Sequence, residues 1–407
     1  ALYRLGAFVP LPGVNREALR TFQDQLGGNA ITGLFGVFTG GAFNNLSVFA
    51  LGIMPYITAS IVMQLMTVAV PRLQELAKEG ETGQQKITQY TRYFTLALAF
   101  IQSVALVLFF QNGQMFPGVL TDATALNIYL IVITLTAGTM LIMWLGELIT
   151  QRGLGNGISL IISAAILSQA PSAIQSLVEQ GNVMTMVILG VLAVLIVAGI
   201  VFVNEGQRRI PITYAKRQVG RRMSQGGTTY LPLKVNMAGV IPIIFASSLL
   251  IFPVVLSTFA GNDPNSILGR VAQFFTPGEP PYLILYALLI LMFTYFYTAV
   301  QFNPIEQADN LKKSGGYIPG IRPGQPTAVY LNSVLTRITL FGAIFLATVA
   351  VLPYLITSTL NLGNQLFLGG TSILIVVGVS LDTVRQLESQ LMMRNYEGFL
   401  KGRRQQR

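Results

Sequence analysis

Ionisable side chains vanish from this chain over long stretches, and that spacing limits the folds open to it. Between Arg20 and Arg72 the only charge is Asp24. None lies between Arg92 and Asp122, Asp122 and Glu147, Arg152 and Glu179, or Glu179 and Glu205. The same holds from Lys234 to Asp263, from Glu279 to Glu306 and from Arg337 to Asp382. A helix that crosses a bilayer needs about 20 mostly apolar residues at about 1.5 Å rise each. Most of these stretches fit one span, and the last fits two because NLGN at 361–364 reads as a turn. The spacing predicts spans near 47–70, 94–111, 126–147, 157–178, 183–203, 240–260, 282–303, 338–357 and 366–385.

Composition agrees. Of 407 residues, 52% are hydrophobic and 10% charged, against about 25% charged in an ordinary soluble domain. Twenty-six basic and 16 acidic side chains cannot cover a soluble body of this size, and a disordered chain would be poor in apolar residues. An integral membrane protein remains. The opening ALYRLGAFVP reads as the tail of a further span, largely missing from this chain, and carries no signal-peptide pattern. A total of ten spans would place both termini on one side.

Basic residues favour cytoplasmic loops. With 71–93, 148–156, 204–239, 304–337 and the tail after 384 on the cytoplasmic side, 22 of the 26 basic residues lie there. Only Arg4, Arg16, Arg20 and Arg270 are opposite. Both termini are therefore expected in the cytoplasm.

Charge inside a span marks ion and proton pathways. Glu147, Glu205 and Asp382 fall at span ends, and no Asp, Glu, Lys or Arg lies near a span centre. A secondary transporter driven by protons is hard to build on that basis, although sodium could bind through carbonyls. Histidine and cysteine are both absent, which removes disulfides, zinc, iron–sulfur and haem ligation, and histidine acid–base chemistry. An intramembrane protease would need a Ser–Lys arrangement at membrane depth, and no lysine is there. No GxxxxGK[ST] motor motif occurs. GLGNG at 153–157 reads as a tight turn before a helix. No catalytic residue, metal site or cofactor is expected.

Uncharged polar residues do occur within spans, among them Thr58, Ser60, Gln64, Ser247, Ser248 and Ser257, and they suit hydrogen bonds between helices. Pro55, Pro242 and Pro253 break helical hydrogen bonds and permit kinks. The glycine-rich segment 27–45 has an apolar core from Ile31 to Phe43, about 20 Å as a helix, too short for a hydrocarbon layer of about 30 Å. It reads either as an interfacial helix or as a mobile plug tucked into the bundle, since short backbone at membrane depth survives when buried in protein.

Several strings carry a specific resemblance. LGIMPYITASI (51–61), KEGETGQQKITQYTRY (78–93), MWLGELITQRGLGNGIS (143–159), YAKRQVGRR (214–222), LPLKVNMAGVIP (231–242), ADNLKKSGGYIPGIRPG (308–324) and FLGGTSILIVVGVSLD (367–382) resemble the SecY/Sec61-alpha family, the central subunits of protein-conducting Sec channels. The bacterial form is the most similar, and the matches run in order across the chain. The resemblance implies an all-α polytopic fold of ten spans in two inverted five-helix halves, 1–178 and 183–385, with a basic cytoplasmic tail at 386–407. It implies a pore ring of Ile53, Ile57, Ile162, Ile166, Ile244 and Ile375. It places the plug on 27–45, with Ile31, Leu34, Phe35, Val37, Phe38 and Phe43, and a lateral gate between the spans 47–70 and 240–260.

The implied function is to pass unfolded secretory polypeptides across the cell inner membrane and to release transmembrane segments into lipid. Implied partners are SecE and SecG subunits, the SecA ATPase, the ribosome, and signal peptides with their nascent chains. Lys216, Arg217, Arg221, Arg222 and Arg322 would dock the motor or the ribosome, since arginine pairs bidentately with carboxylates and phosphates. A solute transporter, a membrane-embedded enzyme and a pure scaffold are the competing readings.

Overall fold

A computed structural model describes residues 2–15, 36, 39–111, 124–153, 155–179, 183–214, 217–219, 222–224, 227–259, 279–360 and 370–404. Each of the nine stretches expected to span carries a helix. In chain order the described helices are α1 (Leu2–Gly6), α2 (Met54–Ala69), α3 (Pro71–Lys78), α4 (Glu81–Gln111), α5 (Ala125–Arg152), α6 (Gly157–Glu179) and α7 (Val183–Glu205). After a run of strands come α8 (Ile241–Phe259), α9 (Pro280–Gln301), α10 (Pro304–Lys313), α11 (Gln325–Leu360) and α12 (Gly370–Arg404).

By length and composition, five described helical runs can cross a membrane: Glu81–Leu108, Ala125–Arg152, Met186–Glu205, Pro280–Lys313 and Gln325–Ile356. A sixth candidate is α2 joined to α3 through a bend of 98°. Shorter apolar helices occupy Gly157–Pro171 and Ile241–Leu250.

Local chemistry sets the helix ends. The α2–α3 bend falls at Val70, where extended backbone precedes Pro71, as expected for a residue before proline. Pro55 and Pro242 occupy the first turns of α2 and α8, where the missing N–H would have had no intrahelical partner anyway. Proline at these two positions removes no intrahelical hydrogen bond, whereas Pro253 falls within the body of α8. The GLGNG segment does precede a helix: Asn156 Oδ1 accepts the Ile158 and Ser159 N–H groups at 3.0 and 3.4 Å, capping α6.

Most polar side chains within spans turn back on their own helix. Thr58 donates to the Met54 carbonyl at 3.1 Å, and Ser247 and Ser248 both donate to that of Ile244. Ser103 and Thr136, 3.3 Å apart, do join α4 to α5.

The helices pack in a closed order: α2 on α4, α4 on α5, α5 on α6, α6 on α12, α12 on α11, α11 on α9, α9 on α8, and α8 back on α2. The largest apolar cluster lies where this ring converges, with side chains from α2, α6, α8, α9, α11 and α12.

The segments 204–239 and 304–337, read from sequence as loops, fold together. Strands β1 (Gln207–Tyr214), β4 (Thr228–Lys234) and β5 (Gly316–Tyr317) form an antiparallel sheet in the order β4-β1-β5, with Ile210 opposite Leu231. A separate hairpin pairs β2 (Arg217–Val219) with β3 (Arg222–Ser224). Ile210, Ile212 and Leu233 of the sheet share a core with Phe302, Leu311, Ile318, Leu331 and Leu335, so one small domain caps the ends of α9, α10 and α11.

Candidate pore, gate and docking surface

The six isoleucines come from four separate elements. Ile53 caps the start of α2 and Ile57 lies one turn on; Ile162 and Ile166 share one face of α6; Ile244 is in the first turn of α8 and Ile375 in the second turn of α12. All six are between 1% and 6% exposed and belong to one apolar cluster. The i,i+4 spacing of two pairs places both members on the same side of their helix. Among the described residues no Asp, Glu, Lys or Arg is buried. Branched side chains with few rotamers and no hydrogen-bonding atom can close against one another and exclude water, and an apolar constriction blocks ions by dewetting.

Helix α8 touches α2 on one side and also meets α4. Of these, α2 and α8 carry the spans 47–70 and 240–260 expected at a lateral gate. On the far side of the ring the seam is made by α6 with α12 and α7.

Of the expected plug residues, Ile31, Leu34, Phe35, Val37 and Phe38 lie outside the described residues. Phe43 is described, half-buried in a run of turns and packed beside Leu11, Leu46 and Leu135. Residues 41–50 are stitched to the chain after α1: Leu11 N–H donates to Leu46 O at 3.1 Å, Val48 N–H to Val9 O at 3.0 Å, and Asn45 Nδ2 to Ala7 O at 3.3 Å.

Arg217 and Arg222 stand on the β2–β3 hairpin, Arg217 opposite Ser224 and Arg222 opposite Val219. Lys216 and Arg221 lie outside the described residues. Arg322 is exposed in a pair of tight turns, and its carbonyl accepts the Thr327 hydroxyl at 2.9 Å. The hairpin and the Arg322 turns thus belong to chain segments that meet in the small domain, whereas the sequence presents them a hundred residues apart.

Ion pairs at the span ends were not foreseen. Arg92 of α4 grips Glu147 of α5 through two bonds, Nε–Oε1 at 2.8 Å and Nη2–Oε2 at 2.7 Å. Arg385 of α12 holds Glu205 at 2.8 Å and the Asn204 carbonyl at 2.9 Å at the end of α7. All three acids noted at span ends have a basic neighbour, Asp382 facing Arg385 at 4.0 Å.

Comparison with known proteins agrees with this architecture. The SecY family profile matches residues 47–384. The chain is 48% identical to the protein translocase subunit SecY of Mycobacterium bovis, over 98% of this chain and 94% of that one. It is 47% identical to that of Streptomyces scabiei with the same coverage. Among solved structures, a protein-conducting channel superposes with a TM-score of 0.62 at 18% identity, covering 95% of this chain and 89% of that one. Canine Sec61 from a ribosome–channel complex gives 0.59 at 17%, with the same coverage. A fold of this kind, with sequence identity near one half along almost the whole length, places the chain in the SecY family.

Proposed function

We propose that the chain is the pore-forming subunit of a protein translocase, and that the convergence of Ile53, Ile57, Ile162, Ile166, Ile244 and Ile375 in one buried apolar cluster is its seal. That convergence carries the reading. Side chains from α2 and α6 in the N-terminal half meet side chains from α8 and α12 in the C-terminal half, so separating the halves opens the seal. An unfolded polypeptide of any sequence can pass such a ring, which holds no site to grip it. A solute carrier needs the opposite, a specific polar site near the midplane.

The α2–α8 seam is the lateral gate, through which a signal peptide or transmembrane segment enters lipid, and the segment 27–45 is the plug. Arg217, Arg222 and Arg322, with Lys216 and Arg221, form the docking surface for a SecA-type motor or the ribosome. SecE-like and SecG-like subunits complete the complex. The chain performs no catalytic step of its own, sits in the cell inner membrane, and has its basic loops and both termini in the cytoplasm.

The test is reconstitution in proteoliposomes with the two small subunits and SecA. ATP-dependent import of a secretory precursor is expected. Import should fall at least tenfold when Arg217, Arg222 and Arg322 are replaced by glutamate, with insertion and assembly unchanged. Absence of import by the folded, assembled wild type would overturn the reading.

A further inference from the structure

The first turns of α8 hold five consecutive buried residues, Ile243 to Ser247. Of these, only Ile244 belongs to the apolar ring. Its neighbour Phe245 stands about 100° further round, since an α-helix makes one turn in about 3.6 residues. There the Phe245 ring meets α9 in two edge-to-face contacts. With Phe293 the centroids are 5.8 Å apart and the planes cross at 85°; with Tyr297 the values are 6.4 Å and 84°. Phe293 and Tyr297 are four residues apart, so both rings rise from one side of α9. The edge-to-face arrangement is one that aromatic pairs prefer.

This grip is local. One turn on, Leu249 shares the Phe245 side of α8 and is 51% exposed, against 5% for Phe245. Of its described neighbours, α8 packs most broadly on α9 and more lightly on α2 and α4. Helix α9 is itself fastened to α11. The Tyr295 hydroxyl donates to the Thr336 carbonyl at 3.2 Å, and the Tyr282 and Tyr354 rings meet at 6.2 Å. Phe245 thus joins the gate-side helix to a fixed pair. Apolar burial is non-directional and by itself leaves a helix free to roll, whereas a ring held edge-on by two others has one orientation. A roll by one residue would carry Ile244 out of the ring.

We propose that Phe245 is a positioning residue: wedged against Phe293 and Tyr297, it sets the roll of α8 and so aims Ile244 into the seal. When the α2–α8 seam parts, α8 keeps this roll and travels with α9. The inference rests on the reading of the six isoleucines as the seal.

The experiment is resting ion conductance in planar bilayers, using the protein with its small partner subunits, beside thermal unfolding in detergent. Wild type is compared with Ile244→Asn, Phe245→Ala, Phe245→Leu and Ile200→Ala. Ile244→Asn tests the seal itself. Phe245→Leu keeps apolar bulk without a ring. Ile200 is 1% exposed on α7, so Ile200→Ala opens a cavity and lowers stability in the same apolar cluster, away from α8. Wild type and Ile200→Ala should be silent, although Ile200→Ala and Phe245→Ala both unfold at lower temperature. Ile244→Asn and Phe245→Ala should leak roughly tenfold above wild type, as a wetted constriction does, with Phe245→Leu between. If Phe245→Ala does not assemble, Phe245→Leu carries the comparison. A leaky Ile244→Asn beside silent Phe245 variants would overturn the positioning role and leave the seal. An equal leak from Ile200→Ala and Phe245→Ala would overturn it too, because any loosening of the core would then open the ring. A silent, folded Ile244→Asn would overturn the seal reading and the role of Phe245 with it.

Discussion

At Ile375, 1% exposed in the second turn of α12, asparagine would put an amide where the wild type presents only carbon. An amide in an apolar setting costs about 1–3 kcal/mol without partners, and the nearest relief is water drawn into the constriction. A wetted ring conducts ions. Ile375→Asn is therefore expected to raise resting conductance in planar bilayers, whereas Ile375→Val, which keeps the surface apolar and the side chain stiff, should stay near the wild-type level. Equal conductance in the two variants would show that dewetting at this position does not seal the bundle. Nothing in an isoleucine by itself distinguishes a sealing residue from an ordinary core residue. The six positions were chosen through the motifs around them and, for two pairs, through i,i+4 spacing; their burial in one apolar cluster is what the structure adds. Arg4 entered the sequence reading only as one of four basic residues opposite the rest, and its partners lie 36 and 164 residues away, a separation that no local pattern encodes.

Among the helices, glycines separate close approach from open surface. A Cβ on Gly138 of α5 would lie 2.1 Å from the Val48 carbonyl, so α5 meets the run of turns before α2 at backbone distance. Gly190 of α7 has no neighbouring atom within 4 Å of such a Cβ. Gly138→Ala must push the two segments apart, and overpacking of this kind costs about 1–3 kcal/mol; Gly190→Ala should gain up to about 1 kcal/mol of helix propensity. Thermal unfolding in detergent should thus fall for the first and hold or rise for the second. A fall of the same size in both would remove the close-approach explanation. Helices were readable because twenty apolar residues leave no other way to satisfy backbone polar groups in lipid. The sheet was not. QRRIPITY and TTYLPLK do alternate, with Ile210, Ile212 and Leu233 facing inward, but their charges marked them as loop in a reading built on charge gaps. Strand β5, which pairs with β1, comes from a segment a hundred residues later.

Across the whole molecule the closed ring of helices has two seams between its halves, and they are unequal. The α2–α8 seam is thin, and the seam that joins α6 to α12 and α7 is broader. On the C-terminal side of that second seam, Arg385 of α12 bonds Glu205 and Asn204 of α7, which fastens those two helices to each other. A bundle opened from within parts where the least apolar surface must be exposed, since each Å² uncovered costs about 25 cal/mol against water. Exposure to lipid tails costs less still, so the thin seam opens toward the membrane while the broad one acts as the hinge. The absence of cysteine makes this testable without background. One cysteine on α2 and one on α8, joined by a short thiol cross-linker, should abolish release of a signal peptide into lipid and reduce import at least tenfold. The same reagent across α6 and α12 should leave import within about twofold of the uncross-linked protein, because a fastened hinge still turns. Loss of import from the α6–α12 link, with the α2–α8 link tolerated, would reverse the assignment of gate and hinge and place the lateral opening on the other side of the ring.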